Sequence, residues 1–335
     1  MAKAGFVKEI LETKSSPVRI GFVPLVDCAP LVVAQELGMF AEIGLRVELI
    51  REPGWASIRD KIVHQELEAA HALVGLCFAI SWGLGVLKRP CLTGFLFNSH
   101  GDSIVLSLNL LSGDGEMSAT KKKLKFAVPH QFSTHHFLLR QWLKPYFAKE
   151  GKDFEVIFLP PGLMVQSLEE GHIDGFCVGE PYGSIAVERN IGGVVKESAD
   201  LSPLHPEKAL LVTQKYAEQN HEEHIKLISC LIKAAEFCDS PVGRERLPEI
   251  LGQSCYLNQD PKIIKQSLSA DSTIMKSEDF HLFSRFGINE PTTERANWIV
   301  NQMRLSNLIP DSFAKKDIRM EEIFRRDIYR EAAAL

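Results

Sequence analysis

Gly171-His-Ile-Asp-Gly-Phe-Cys-Val-Gly-Glu-Pro181 is the stretch whose reading decides the fold. After a polar start, the compact apolar run Phe176-Cys-Val178 predicts a strand. That strand stops at Gly179-Glu-Pro181, because proline cannot continue a hydrogen-bonded ladder. Gly179 has no side chain to keep a small ligand from the main chain. Open α/β sheets bind ligands beyond the carboxyl ends of their strands, so the stretch predicts one wall of a ligand cleft. Taken alone, it also describes an ordinary buried strand and turn, and the flanking sequence must decide.

On the N-terminal side, Val18-Arg-Ile-Gly-Phe-Val23 reads as a strand ending at Pro24, and 29–40 as a helix closed by Gly38. A strand over 45–50, a helix over 58–67 and a buried element over 72–80 follow. An apolar segment over 104–110 leads into the polar link Ser112-Gly-Asp-Gly-Glu116. A second series then begins, with strands at 125–128 and 154–159 and helices at 134–147 and 165–170. Beyond the opening stretch, 209–213 reads as another crossing strand. The remainder is mostly helical, at 221–238, 260–268, 291–304 and 320–333. Alternating strands and helices imply sheets covered by helices. The expected architecture is α/β with two lobes, a ligand cleft and two hinge crossings. Lobe 1 comprises 1–108 with 212–335, and lobe 2 comprises 109–211.

Composition narrows the function. A formal charge of −5 over 335 residues argues against broad binding to nucleic acid or anionic membrane. The basic run Lys121-Lys-Lys-Leu-Lys125 reads as a solvated entry to the second lobe. Seven cysteines, an odd number with no Cys-x-x-Cys pair, favour a reducing compartment over a disulfide framework. The first ten residues lack the apolar core of a signal peptide, and the uncharged run 72–87 is too short and interrupted for a good spanning helix. These readings give a cytoplasmic location as the expectation; a trimmed leader would make it periplasmic.

At several separated places the chain resembles nitrate- and bicarbonate-binding proteins. The residues are Gly21-Phe-Val-Pro-Leu-Val-Asp-Cys-Ala-Pro-Leu-Val-Val-Ala34, Arg51-Glu-Pro-Gly-Trp-Ala-Ser-Ile-Arg-Asp-Lys61, Thr134-His135, Pro160-Pro161, 171–181, His205-Pro-Glu-Lys208 and Phe324-Arg-Arg-Asp-Ile-Tyr-Arg-Glu-Ala-Ala333. The resemblance covers residue 17 to the C-terminus. It implies the type II fold of periplasmic binding proteins, with nitrate or nitrite as ligand and neither catalysis, cofactor nor metal. Within the family, it is similar to leaderless cytoplasmic sensors that hold an RNA-binding antitermination regulator of the ANTAR type until the anion binds. The alternative is the nitrate receptor of an ABC importer. A related role is a regulatory module like that fused to some nitrate-importer ATPases, acting in trans because the sequence contains no phosphate-binding loop. The least favoured reading is the pyrimidine-forming enzyme of thiamin biosynthesis, whose cysteine cluster is represented here by Cys177 alone.

The resemblance places the ligand among Trp55, Asp102, Ser103, His135, Pro161, Val178, Gly179 and Lys208. On the family pattern, lysine at position 208 goes with nitrate and glutamate with bicarbonate. Physically, a buried ammonium requires a counter-charge that an anion supplies. His135 lies at a helix start, where free N–H groups and the helix dipole favour anions. The Trp55 indole offers a donor, although it could equally wall the core. Pro161, Val178 and Gly179 shape the far wall, and Glu180 is expected to cap a turn or brace the lobes. Asp102 breaks the pattern, since an amide donor is usual there. It turns away and leaves Ser103 to donate, or is protonated, or the ligand differs from nitrate.

Overall fold

A computed structural model describes residues 16–111, 123–147, 149–269, 279–314 and 319–335. The expected polar link 112–116, and Lys121 and Lys122 of the basic run, lie outside the described residues. The described strands are, in chain order, β1 (Val18–Phe22), β2 (Val47–Arg51), β3 (Ala69–Leu73), β4 (Cys91–Leu92), β5 (Leu96–His100), β6 (Asp102–Ser107), β7 (Leu124–Val128), β8 (Phe154–Phe158), β9 (Gly175–Gly179), β10 (Gly192–Glu197), β11 (Pro206–Thr213) and β12 (His281–Leu282).

These strands form two sheets. The first has the order β12-β5-β11-β3-β1-β2, with β4 added on β11, and the second has the order β10-β6-β9-β7-β8. In the first, β1 lies parallel to β2 and β3, while β11 lies antiparallel to β3 and β5. In the second, β7 is parallel to β8 and β9, and β6 is antiparallel to β9 and β10. Helices cover both sheets. The 19-residue helix His221–Asp239 repeats buried Leu227, Ile228, Leu231, Ala234, Ala235 and Cys238 at helical spacing, and these pack against Leu31, Val32 and neighbours of helix Ala29–Glu36.

The chain changes sheets earlier than the sequence reading placed it. Only Gly101 separates β5 of the first sheet from β6 of the second. Gly101 has φ +86°, and a Cβ there would lie 2.4 Å from the His281 ring, so the crossing requires glycine. The return falls between Glu197 at the end of β10 and Pro206 at the start of β11. Residues 102–107, expected in lobe 1, therefore pair in the second sheet, and 206–211, expected in lobe 2, pair in the first. An apolar strand looks the same on either side of a hinge, which is why the pattern misplaced both.

Other differences are local. The helix expected over 29–40 breaks at Gly38 (φ +71°) and resumes at Met39. The helix expected over 134–147 stops at Leu143, and that expected from 165 begins at Pro161. Helix Pro241–Gly252, capped by the Ser240 side chain on the Gly243 N–H, was not read, because Pro248 and the glycines interrupt its pattern. All seven cysteines are free, and six are buried.

Candidate functional site

The ends of several elements bring polar side chains together between the sheets. Asp27 lies on the short turn Val26–Cys28 after β1, and His71 lies in β3. Trp55 opens helix Trp55–Val63. Asp102 is the first residue of β6, while Glu207 and Lys208 stand at the start of β11. Thr134 and His135 begin helix Thr134–Leu143, which the Ser133 side chain caps by accepting from the His136 N–H. Asp102, His135, Glu207 and Lys208 are all 0% exposed, so water does not screen their charges.

Backbone irregularity aims two consecutive residues at one place. The pairing of β11 with β5 shifts register on both sides of Lys208, a bulge that allows Glu207 and Lys208 to converge instead of alternating. The Lys208 ammonium donates to Glu207 at 2.7 Å and lies 2.8 Å from Asp27. It also sits over the Trp55 ring, 5.1 Å from the centroid. Burial works against its charge, but Asp27 and Glu207 raise its pKa above the usual lysine range. Burial likewise opposes ionisation of Asp27, yet Lys208 and His71 hold that carboxyl well below its ordinary value. His71 approaches Asp27 at 2.9 Å.

The second group is centred on Asp102. His135 Nε2 lies 2.9 Å from Asp102 Oδ1, and His205 Nε2 lies 3.5 Å from Asp102 Oδ2. Despite burial, His135 and His205 keep Asp102 ionised far below the normal carboxylate range. Glu207 accepts from the Thr134 hydroxyl and lies 3.5 Å from both His135 and His205. Burial alone would depress His205, but Asp102 and Glu207 together carry it up to about 9.

The structure thus brings five of the expected residues together: Trp55, Asp102, His135, Gly179 and Lys208. A Cβ on Gly179 would lie 3.3 Å from Asp102 and 3.4 Å from Asp27, so the glycine backs directly onto these carboxylates. Asp102 faces the cluster rather than turning away, and it is ionised rather than protonated. Ser103, next along the strand, points to the other face, where its hydroxyl bonds Glu180 at 3.0 Å and Glu197 at 2.9 Å. Val178, its register partner, shares that face by strand alternation. Pro161 starts helix Pro161–Glu169, one residue after Pro160, which approaches Gly54 across the cleft. A crevice of about 370 Å³ beside it is lined by Trp55, Arg59, His130 and Pro160. Glu180 braces the lobes as expected: its carboxylate accepts from the Ser184 N–H, and its carbonyl accepts from the Val26 N–H of the first lobe.

Sequence reasoning assigned no role to Asp27, His71, His205 or Glu207. Asp27 and Glu207 stood inside the motifs that carried the resemblance, and a lone acid in an apolar run such as Leu25-Val-Asp-Cys-Ala29 was the available signal. His136, by contrast, packs as expected, bonding the Gln131 carbonyl at 2.8 Å and meeting Phe158 edge-on. Of the basic run, Lys123 and Lys125 pair with Glu155. Cys177 is buried, and burial pushes its thiol far up, leaving it unreactive. Among the described residues, no helix is long and apolar enough to cross a membrane.

The sequence model of the NMT1-like family matches residues 12–252. The nitrate import ATP-binding protein NrtC of Synechocystis sp. PCC 6803 is 33% identical over 332 residues, covering 93% of this chain and 49% of the relative. The nitrate/nitrite binding protein NrtA of Synechococcus elongatus PCC 7942 is 27% identical over 342 residues, covering 94% of this chain and 77% of the relative. The crystal structure of the periplasmic nitrate-binding protein NrtA from Synechocystis PCC 6803 superposes with a TM-score of 0.88 at 25% identity, covering 95% of this chain and 88% of that one. The chain spans about half the length of the ATP-binding relatives that it matches.

Proposed function

This chain belongs to the NMT1-like family, and on that premise we propose that it is a non-catalytic receptor for nitrate or nitrite that signals by closing two lobes over the anion. Its fold is the type II solute-binding fold expected from the sequence.

The observation that carries the reading is the Trp55 indole N–H. It is buried with no hydrogen-bond partner among the described residues, and the Lys208 ammonium lies over the same ring. An unsatisfied buried donor costs about 1–3 kcal/mol, and a small planar anion removes that cost by accepting from it. Asp102 is ionised and Lys208 is already paired with Asp27 and Glu207, so the proposal requires Lys208 and the cationic His205 together to offset these carboxylates. Trp55, Asp102, His135, Gly179 and Lys208 form the proposed site. Contacts from Gly54 to Pro160 and from Val26 to Glu180 join the lobes, so an anion held between them favours closure.

The first output we assign to this closure is a cytoplasmic sensor: anion binding alters a surface that holds an ANTAR-type antitermination regulator. A second output, regulation of a nitrate importer, is favoured by the likeness to about half of NrtC, a nitrate import ATP-binding protein. The third, receptor of such an importer, is favoured by the superposition on NrtA.

Ligand linkage tests the shared reading. Thermal unfolding of the purified chain should shift upward with the logarithm of nitrate or nitrite concentration, and chloride should not reproduce the shift. An unchanged midpoint at about 10 mM nitrate and nitrite would overturn it.

A further inference from the structure

Three carboxylates, Asp27, Asp102 and Glu207, are buried around one lysine. One side of this cluster has the geometry of a metal centre. Ligand atoms of Asp102, His205 and Glu207 all lie within 4.8 Å of one another. His205 Nε2 stands 3.5 Å from Asp102 Oδ2 and 3.5 Å from Glu207 Oε2. These separations are long for strong hydrogen bonds and close to the roughly 3.3 Å edge of a tetrahedron with metal–ligand bonds of about 2.0–2.1 Å. His135 Nε2 adds a fourth donor, 2.9 Å from Asp102 and 3.5 Å from Glu207.

Two further observations point to a ligand here. Among the described residues, the Asp102 oxygens and the Nε2 atoms of His135 and His205 are buried without an aligned hydrogen bond, even though they lie this close together. The atoms converge without an N–H directed at an oxygen, as donors do around a common centre. Secondly, His205 Nδ1 lies 2.7 Å from the Ser202 carbonyl. A carbonyl only accepts, so Nδ1 donates there and Nε2 is the nitrogen that faces the cluster, where a metal would displace its proton. Such outer hydrogen bonds orient metal-bound histidines. Charge agrees, because one ammonium and one divalent cation balance three carboxylates once metal binding displaces the proton on His205.

We propose that Asp102, His205 and Glu207, with His135 as the fourth donor, form a binding site for a divalent transition metal of the zinc type. Imidazole donors select zinc, cobalt and nickel over calcium and magnesium, which require an all-oxygen shell. Lysine at 208 and the spacing in sequence led to the expectation of no metal; the centre joins His205 and Glu207, two positions apart on one segment, to Asp102 and His135 from distant segments. The proposal stands without the anion and is tested without it.

The chelator-stripped full chain is titrated with zinc(II) in nitrate-free buffer. One equivalent should bind, unaffected by excess calcium(II) and unchanged in the Cys255→Ser variant, which removes the exposed thiol. His205→Gln and Glu207→Gln should each weaken binding by at least about 100-fold, with folding checked by circular dichroism. The wild-type chain loaded with cobalt(II) should show the intense visible bands of four-coordinate cobalt, a readout that needs no variant. Failure to bind zinc, loss of binding in Cys255→Ser, unchanged affinity in both site variants, or a six-coordinate cobalt spectrum would each overturn the proposal. Because nitrate is absent throughout, none of these outcomes depends on the receptor reading.

Discussion

Ser103 shows how a neighbouring residue can do work unlike that of Asp102. Its hydroxyl has one hydrogen to donate, yet it bonds two carboxyl groups, Glu180 and Glu197. One of the two must therefore carry a proton and donate it to the serine oxygen. Burial, followed by repulsion from Glu180, raises Glu197 to about 8 from the ordinary 4.5. Between these values the folded state holds a proton that the unfolded chain releases. Stability from this group is complete below the unfolded value and is lost as pH rises through the folded one, in total roughly 5 kcal/mol. Glu197→Gln mimics the protonated form, so its urea stability should hardly fall between about pH 5 and about pH 9, while that of the wild type declines. Parallel declines in the two proteins would show that Glu197 does not retain the proton.

At the scale of elements, two chain segments from different sheets touch where no side chain fits. Gly75 lies in helix Val74–Trp82 beyond β3 of the first sheet, and Phe132 lies beyond β7 of the second. A Cβ at Gly75 would stand 2.2 Å from the Phe132 carbonyl oxygen, a backbone atom that cannot swing aside. Gly75→Ala should therefore hold the lobes apart, increasing the radius of gyration in small-angle scattering and weakening nitrate binding about tenfold, or 1.4 kcal/mol. A variant with the wild-type radius and affinity would contradict this. The strand Phe176-Cys-Val178 and its stop were legible in sequence, because apolar run and proline act locally. The sheet to which 102–107 belongs was not, since register partners lie far away and a strand's pattern does not name its neighbour. Lys208 was legible through its motif. Glu207 was not, because normal strand alternation turns adjacent residues to opposite faces, and only the bulge at Lys208 overrides that rule.

For the whole molecule, the opening stretch acts as a strut between lobes as well as a strand end. Gly179 leaves room for Asp27 and Asp102, and the Glu180 carbonyl receives the Val26 N–H from the opposite lobe. On the proposed reading, an anion bound there would be coupled to this lobe contact. Calorimetric titration of nitrate into the purified wild-type chain and into Lys208→Gln tests this most directly. The wild type should bind one anion with a dissociation constant of about 1 mM or tighter, and the variant, still folded by circular dichroism, should bind at least about tenfold more weakly. Absence of wild-type binding at millimolar nitrate, or equal affinity in the two proteins, would contradict a receptor built on Lys208.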